Sequence, residues 1–128
     1  MTPSTASLLV KIGGYASIGW LIFHLLFWQM LDWRAELKRL SRENSGVMQV
    51  LNLCLSFVFL LFAFVSLWHT QELLTTGIGR SISIGIGVFW FFRFLLQPMF
   101  WGTSLSSVFF AFLFVLMSAC YLAPWALL

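Results

Sequence analysis

Charge is scarce in this chain: seven Lys and Arg and four Asp and Glu make up only 9% of 128 residues. Soluble domains carry about 25% charged residues. A water-soluble fold is therefore excluded, because a domain this small could not hide so much apolar surface. Cysteine is limited to Cys54 and Cys120, both inside apolar runs. The spans read below put them at different depths, which disfavours a disulfide and suits two small buried hydrophobes. There is no metal-ligand spacing, no nucleophile beside a base and no glycine-rich phosphate loop. The sequence thus offers no metal site, no cofactor and no catalytic residue, and an enzyme is not expected. No basic-aromatic RNA module is visible, so nucleic acid is not an expected partner. A cleavable leader is not expected either: residues 1–7 are polar and uncharged, and no small-residue cleavage site follows a short apolar stretch. The first span is expected to stay and act as its own insertion signal.

Apolar residues are what the chain has in abundance. They make up 61% of it, with 15 Phe and 7 Trp, and the mean hydropathy is +0.97. Phe suits a lipid-facing surface and Trp the membrane–water interface. Four spans of roughly 20 residues, enough to cross hydrocarbon, are read at about 12–31, 47–68, 78–101 and 105–122. The links between them are short, which implies an antiparallel, up-down-up-down bundle. The expected fold is all-α: one membrane domain of four transmembrane helices.

The first link, 32–46, is basic and amphipathic. Trp33, Leu37 and Leu40 repeat at i, i+4, i+7, which reads as a short helix on the membrane surface or an extension of the first span. It holds Arg34, Lys38, Arg39 and Arg42, against Lys11 and Arg80 on the other side. The positive-inside rule places this loop in the cytoplasm and both termini outside. Membrane lipids are the expected partners, with a second copy or another membrane protein as further candidates.

Each span carries one small or polar stripe and a bulky apolar back, as a bundle in lipid requires. Gly13, Ser17, Trp20, His24 and Trp28 share a face of the first. Gln49, Asn52, Ser56, Ala63 and Ser66 share one of the second. Gly79, Ser83, Gly87, Trp90, Arg93 and Gln97 share one of the third, and Ser104, Ser107, Ala111 and Ser118 one of the fourth. Gly79, Ser83 and Gly87 form a small-xxx-small ridge that lets another helix approach closely.

Arg93 is the residue that most needs an explanation. It lies in the third span among aromatics and leucines, and a charge there is tolerated only against protein, a wet cavity or a partner group. Counted from Asp32 and Trp101, both His24 and Arg93 lie about 12 Å below the same interface. Gln49 and Asn52 enter from that side, and Gln97 is one turn beyond Arg93. A polar cluster of His24, Gln49, Asn52, Arg93 and Gln97 is therefore expected in the cytoplasmic half. It reads either as a site for an anion, carboxylate or lipid headgroup, or as a structural arginine, hydrogen-bonded to Asn52, Gln97 and backbone carbonyls or snorkelling to the near interface. No span contains an acidic residue, so a counter-ion for Arg93 would be Asp32, Glu43 or a bound anion. His24 has a proton-carrier reading and a metal- or haem-ligand reading as well as a packing one. His69 is at the opposite interface, so a second axial histidine would require another copy of the chain. Pro98 is expected to bend or end the third span.

Three stretches carry a resemblance: Phe23-His24-Leu25-Leu26-Phe27-Trp28 running on to Asn52, then Glu72-Leu73-Leu74-Thr75-Thr76-Gly77-Ile78-Gly79-Arg80, then Phe89-Trp90-Phe91-Phe92-Arg93 with Gln97. Together they resemble an uncharacterised family of small bacterial four-span integral membrane proteins. The resemblance implies a bacterial inner-membrane protein and brings no activity with it. Small multidrug exporters have a similar length, but they depend on a glutamate in the first span, which this chain lacks. Fluoride channels share a Gly-Gly start, but not the arginine after it or the later polar motifs. The favoured reading is a non-enzymatic accessory or interaction protein. The alternatives are a small oligomeric transporter or channel for an anionic or polar solute, and a lipid- or quinone-binding module.

Overall fold

The computed structural model describes residues 1–127. Helix α1 (Pro3–Leu25) starts at Thr2, whose hydroxyl accepts the Thr5 N–H at 3.2 Å, with Pro3 in the first turn. Both are strong helix-start signals, so the first helix begins nine residues before the expected 12. Its end is also earlier than the expected 31. The Asn52 side-chain amide donates to the His24 carbonyl at 2.9 Å, and the helix breaks at Leu26. A short helix α2 (Phe27–Met30) follows, then Asp32 at φ 50°, a left-handed conformation that Asp tolerates better than most residues. His24 therefore stands in the last turn of α1, not two turns inside it.

The basic link is helical in part. It contains α3 (Trp33–Glu36) and a tight 3-10 turn (Leu37–Arg39). Trp33 and Leu37 are buried and Leu40 is exposed. The link ends early, at 41 instead of 46, because Ser41 caps α4 (Arg42–Trp68) by accepting the Asn44 N–H at 3.1 Å. A one-turn helix α5 (Thr70–Thr75) leads to α6 (Gly77–Trp101), capped by Thr76. Beside α5, His69 lies 3.4 Å from Glu72 as an exposed pair. A backbone hydrogen bond, and then the one from His69, hold the Glu72 carboxyl below its ordinary pKa. Helix α6 runs on through Pro98 to Trp101, so the proline does not end it. Gly102 turns the chain at φ 70°, a conformation that favours glycine, and α7 (Leu105–Leu127) extends five residues past the expected 122.

Four of these helices, α1, α4, α6 and α7, are long and apolar enough to cross a membrane. Side-chain contacts fix their directions. Asn52 meets His24, and Ser66 meets Tyr121 at 2.7 Å. Ser83 donates to the Tyr121 carbonyl at 3.0 Å, and Ser118 to the Gly87 carbonyl at 2.8 Å. The N-terminal amine donates to the Leu127 carbonyl at 3.0 Å, so both termini share one end. The result is an antiparallel bundle in which α1 pairs with α4, α6 pairs with α7, and α1 against α7 joins the pairs. The outer faces carry exposed Phe57, Phe64, Val88, Phe92 and Met99, apolar surface that suits a lipid environment.

Glycines set the close approaches. The Tyr121 ring occupies the space that a side chain on Gly13 would need, and Leu67 and Ser66 occupy that of Gly14. Of the expected ridge, Ser83 and Gly87 face α7. Gly79 instead abuts the backbone of α5, where an added methyl group would collide with the Glu72 carbonyl. Backbone cannot yield as a side chain can. Gly79→Ala is expected to cost about 1–3 kcal/mol in thermal melts followed by circular dichroism. Gly85→Ala, where nothing lies within 4 Å, is expected to leave the melt unchanged.

Candidate functional site

Trp90, Arg93 and Gln97 recur at i, i+3 and i+7 of α6, so they stand in a row on one helix face. Trp90 is 1% exposed and lies near-parallel to two rings, Phe59 of α4 at 5.4 Å and Phe114 of α7 at 5.8 Å. This aromatic layer crosses the bundle. On the side towards the termini the core is filled by Ile86, Met117, Cys120 and Tyr121. On the other side a cavity of about 500 Å³ opens, running past Arg93 and Gln97 to Met30, Leu31, Ser104 and Ser106 at the end of the bundle. That volume falls within the roughly 300–1,000 Å³ of small-molecule sites.

Arg93 is half-buried, with its guanidinium over the Phe114 ring at 4.4 Å and the Trp101 ring at 5.0 Å. Neither Asp32 nor Glu43 pairs with it. Among the described residues the ion pairs are Arg39–Glu36 and His69–Glu72. The charge is held by two aromatic faces instead, each worth from about 0.5 to 2 kcal/mol depending on desolvation. Trp90 and Gln97 complete the row. Gln97 is 4% exposed, and its amide nitrogen donates to the Ser107 hydroxyl at 3.2 Å.

Three buried polar atoms on this row have no partner among the described residues: Trp90 Nε1, Arg93 Nη1 and Gln97 Oε1. An unpartnered buried donor or acceptor costs about 1–3 kcal/mol, and native folds contain few of them. Here three belong to residues that line one cavity. A fourth such atom, Trp125 Nε1, is at the opposite end of the bundle.

The expected five-residue cluster divides. His24, Arg93 and Gln97 line the cavity. Asn52 is buried behind His24, and its amide oxygen sits 2.9 Å from His24 Nδ1. Gln49 is not among the lining residues. It accepts from the Trp28 indole at 3.3 Å and donates to Ser45, near the surface of the basic link. Arg93 makes no hydrogen bond to Asn52 or Gln97, contrary to the interhelical reading of the sequence. Sequence reading missed the aromatic partners Phe59, Phe114 and Trp101. Their positions on other helices or past the proline leave no local signal. Trp90, three residues before Arg93 on the same face, was the one legible cue.

Among the described residues, no group of three or more His, Cys, Asp or Glu side chains could hold a metal ion. The cavity lining brings hydrogen-bonding side chains and the Arg93 guanidinium together inside an aromatic wall. Comparison of the chain with known protein families, with curated proteins and with solved structures finds no match.

Proposed function

We propose that this protein is a non-enzymatic binding module of the membrane, holding an amphipathic molecule of the lipid or quinone class with its polar head in the cavity. The observation that carries the proposal is a row of three residues lining one aromatic cavity, Trp90, Arg93 and Gln97, each with a buried polar atom that has no partner among the described residues. Water alone would be a poor occupant of a chamber walled by Trp20, Phe23, Phe59 and Phe110. A molecule with a hydrogen-bonding head and an apolar body satisfies both parts of the lining.

A pore is less well supported. The Phe59–Trp90–Phe114 layer closes the inner end of the cavity, and buried Tyr121 fills the bundle beyond it. The accessory role expected from the sequence fits a module that retains a membrane molecule or presents it to a partner. The three basic residues of the 32–41 link, together with Arg42, lie beside the open end and favour a cytoplasmic orientation for that end. The bacterial inner membrane is the setting the family resemblance suggests.

The test is native mass spectrometry of the full chain released gently from membranes. Wild type is expected to carry one extra mass in the range of a lipid or quinone, and a folded Arg93→Leu protein to carry little. Wild type without added mass, or equal mass on both proteins, contradicts the proposal.

A further inference from the structure

The hydrogen bonds of Asn52 determine what His24 can offer the cavity. Asn52 Nδ2 donates to the His24 carbonyl at 2.9 Å, and a carbonyl oxygen can only accept. The amide is thereby oriented, and its Oδ1 atom faces His24 Nδ1 at 2.9 Å. That oxygen also can only accept, so Nδ1 must carry the proton. In the neutral ring the other nitrogen, Nε2, is then an acceptor with a lone pair. Among the described residues Nε2 has no hydrogen bond, and His24 lines the cavity with its ring 4.5 Å from Phe27 and 5.1 Å from Phe59.

The residues that line the cavity carry two kinds of group without a partner among the described residues. Arg93 Nη1 and Trp90 Nε1 donate. His24 Nε2 and Gln97 Oε1 accept. A phosphate or carboxylate head can use the donors and leaves both acceptors empty. A quinone head, with carbonyl oxygens only, does the same. A hydroxyl on an aromatic ring both donates and accepts, and the flat ring suits a wall built from Trp20, Phe59, Trp90 and Phe114.

We propose that the cavity selects a hydroxylated aromatic head, of the phenol or quinol class, over its carbonyl counterpart and over a head that bears only phosphate or carboxylate. This rests on the binding-module reading and narrows its ligand. Arg93 and Trp90 hold the oxygen atoms, and His24 and Gln97 take the hydroxyl protons in hydrogen bonds without removing them. Asn52 is a positioning residue that keeps the His24 lone pair available.

The test uses the full chain in phosphatidylcholine nanodiscs, titrated without oxygen with a decyl-tailed benzoquinol and separately with its quinone. Binding is read from tryptophan fluorescence. Wild type is expected to bind the quinol about tenfold or more tightly than the quinone. His24→Phe is expected to bring the two affinities within about twofold by weakening quinol alone. Gln97→Met, on a different helix, gives the same reading should His24→Phe fail to fold. Asn52→Leu is expected to reduce the preference partially. Equal affinities in folded wild type, or a preference that survives both acceptor substitutions, overturn the inference. Retention of phospholipid with neither probe bound also overturns it, while leaving the binding-module reading intact. If neither probe nor any native amphipath occupies the protein, both readings fall.

Discussion

An Arg93→Leu protein is expected to fold with a stability within about 1 kcal/mol of wild type, yet to hold the cavity's ligand about 10- to 100-fold more weakly. Two opposing effects set the stability. Placing an arginine at the centre of a span costs about 2.5–3.5 kcal/mol on insertion scales. Contacts over Phe114 and Trp101 return up to about 2 kcal/mol each when desolvated, so removing both cost and gain leaves little. Binding has no such compensation, because a charge-assisted hydrogen bond of about 1.5–3 kcal/mol is lost outright. Thermal melts and retained mass, measured on the same preparation, separate the two effects. A melt lowered by several kcal/mol with ligand retained would make Arg93 a structural residue. Arg93→Lys should bind with intermediate strength, since the ammonium keeps the charge but lacks the planar guanidinium that stacks on rings.

Trp90→Ala is expected to be the most damaging single change in the bundle, at about 3–5 kcal/mol. The residue is 1% exposed and forms the middle of a three-ring stack between α4 and α7. Its loss leaves Phe59 and Phe114 facing a void that joins the existing cavity. Trp90→Phe separates packing from hydrogen bonding. It keeps a ring in the stack and removes Nε1, an atom without a partner among the described residues. The melt should fall by about 1 kcal/mol or rise slightly, and ligand affinity should fall about threefold to tenfold. Unchanged ligand affinity in Trp90→Phe would remove the indole N–H from the site.

Four apolar runs separated by short links made the bundle legible in the sequence, and the small stripes showed which faces meet. Ser17, Ser56, Ser66, Ser83 and Ser118 all lie where periodicity put them, inside the protein. The helix ends were less legible, and for a physical reason. Thr2 and Pro3 start α1 with polar residues that hydropathy treats as outside the membrane, and Ser41 starts α4 within a charged segment. The break after Leu25 has no glycine or proline to mark it, because it comes with a tertiary hydrogen bond from Asn52. The same limitation affected the site. His24, Arg93 and Gln97 were visible as polar residues at similar depth. The hydrogen bond joining His24 to Asn52, the separation of Gln49, and the aromatic faces that replace a counter-ion all depend on which helices are neighbours. Periodicity within one helix gives a face, but not what stands opposite it.

A bound molecule is expected to complete the polar row on α6. A crystal structure grown from lipid, using protein never exposed to harsh detergent, tests it most directly. The expected result is ordered density in the cavity, with a polar atom about 3 Å from Arg93 Nη1 and further contacts to Trp90 Nε1 or Gln97 Oε1. Arg93 turned out to the interface with its rings repacked, or the row satisfied by water alone, would contradict it.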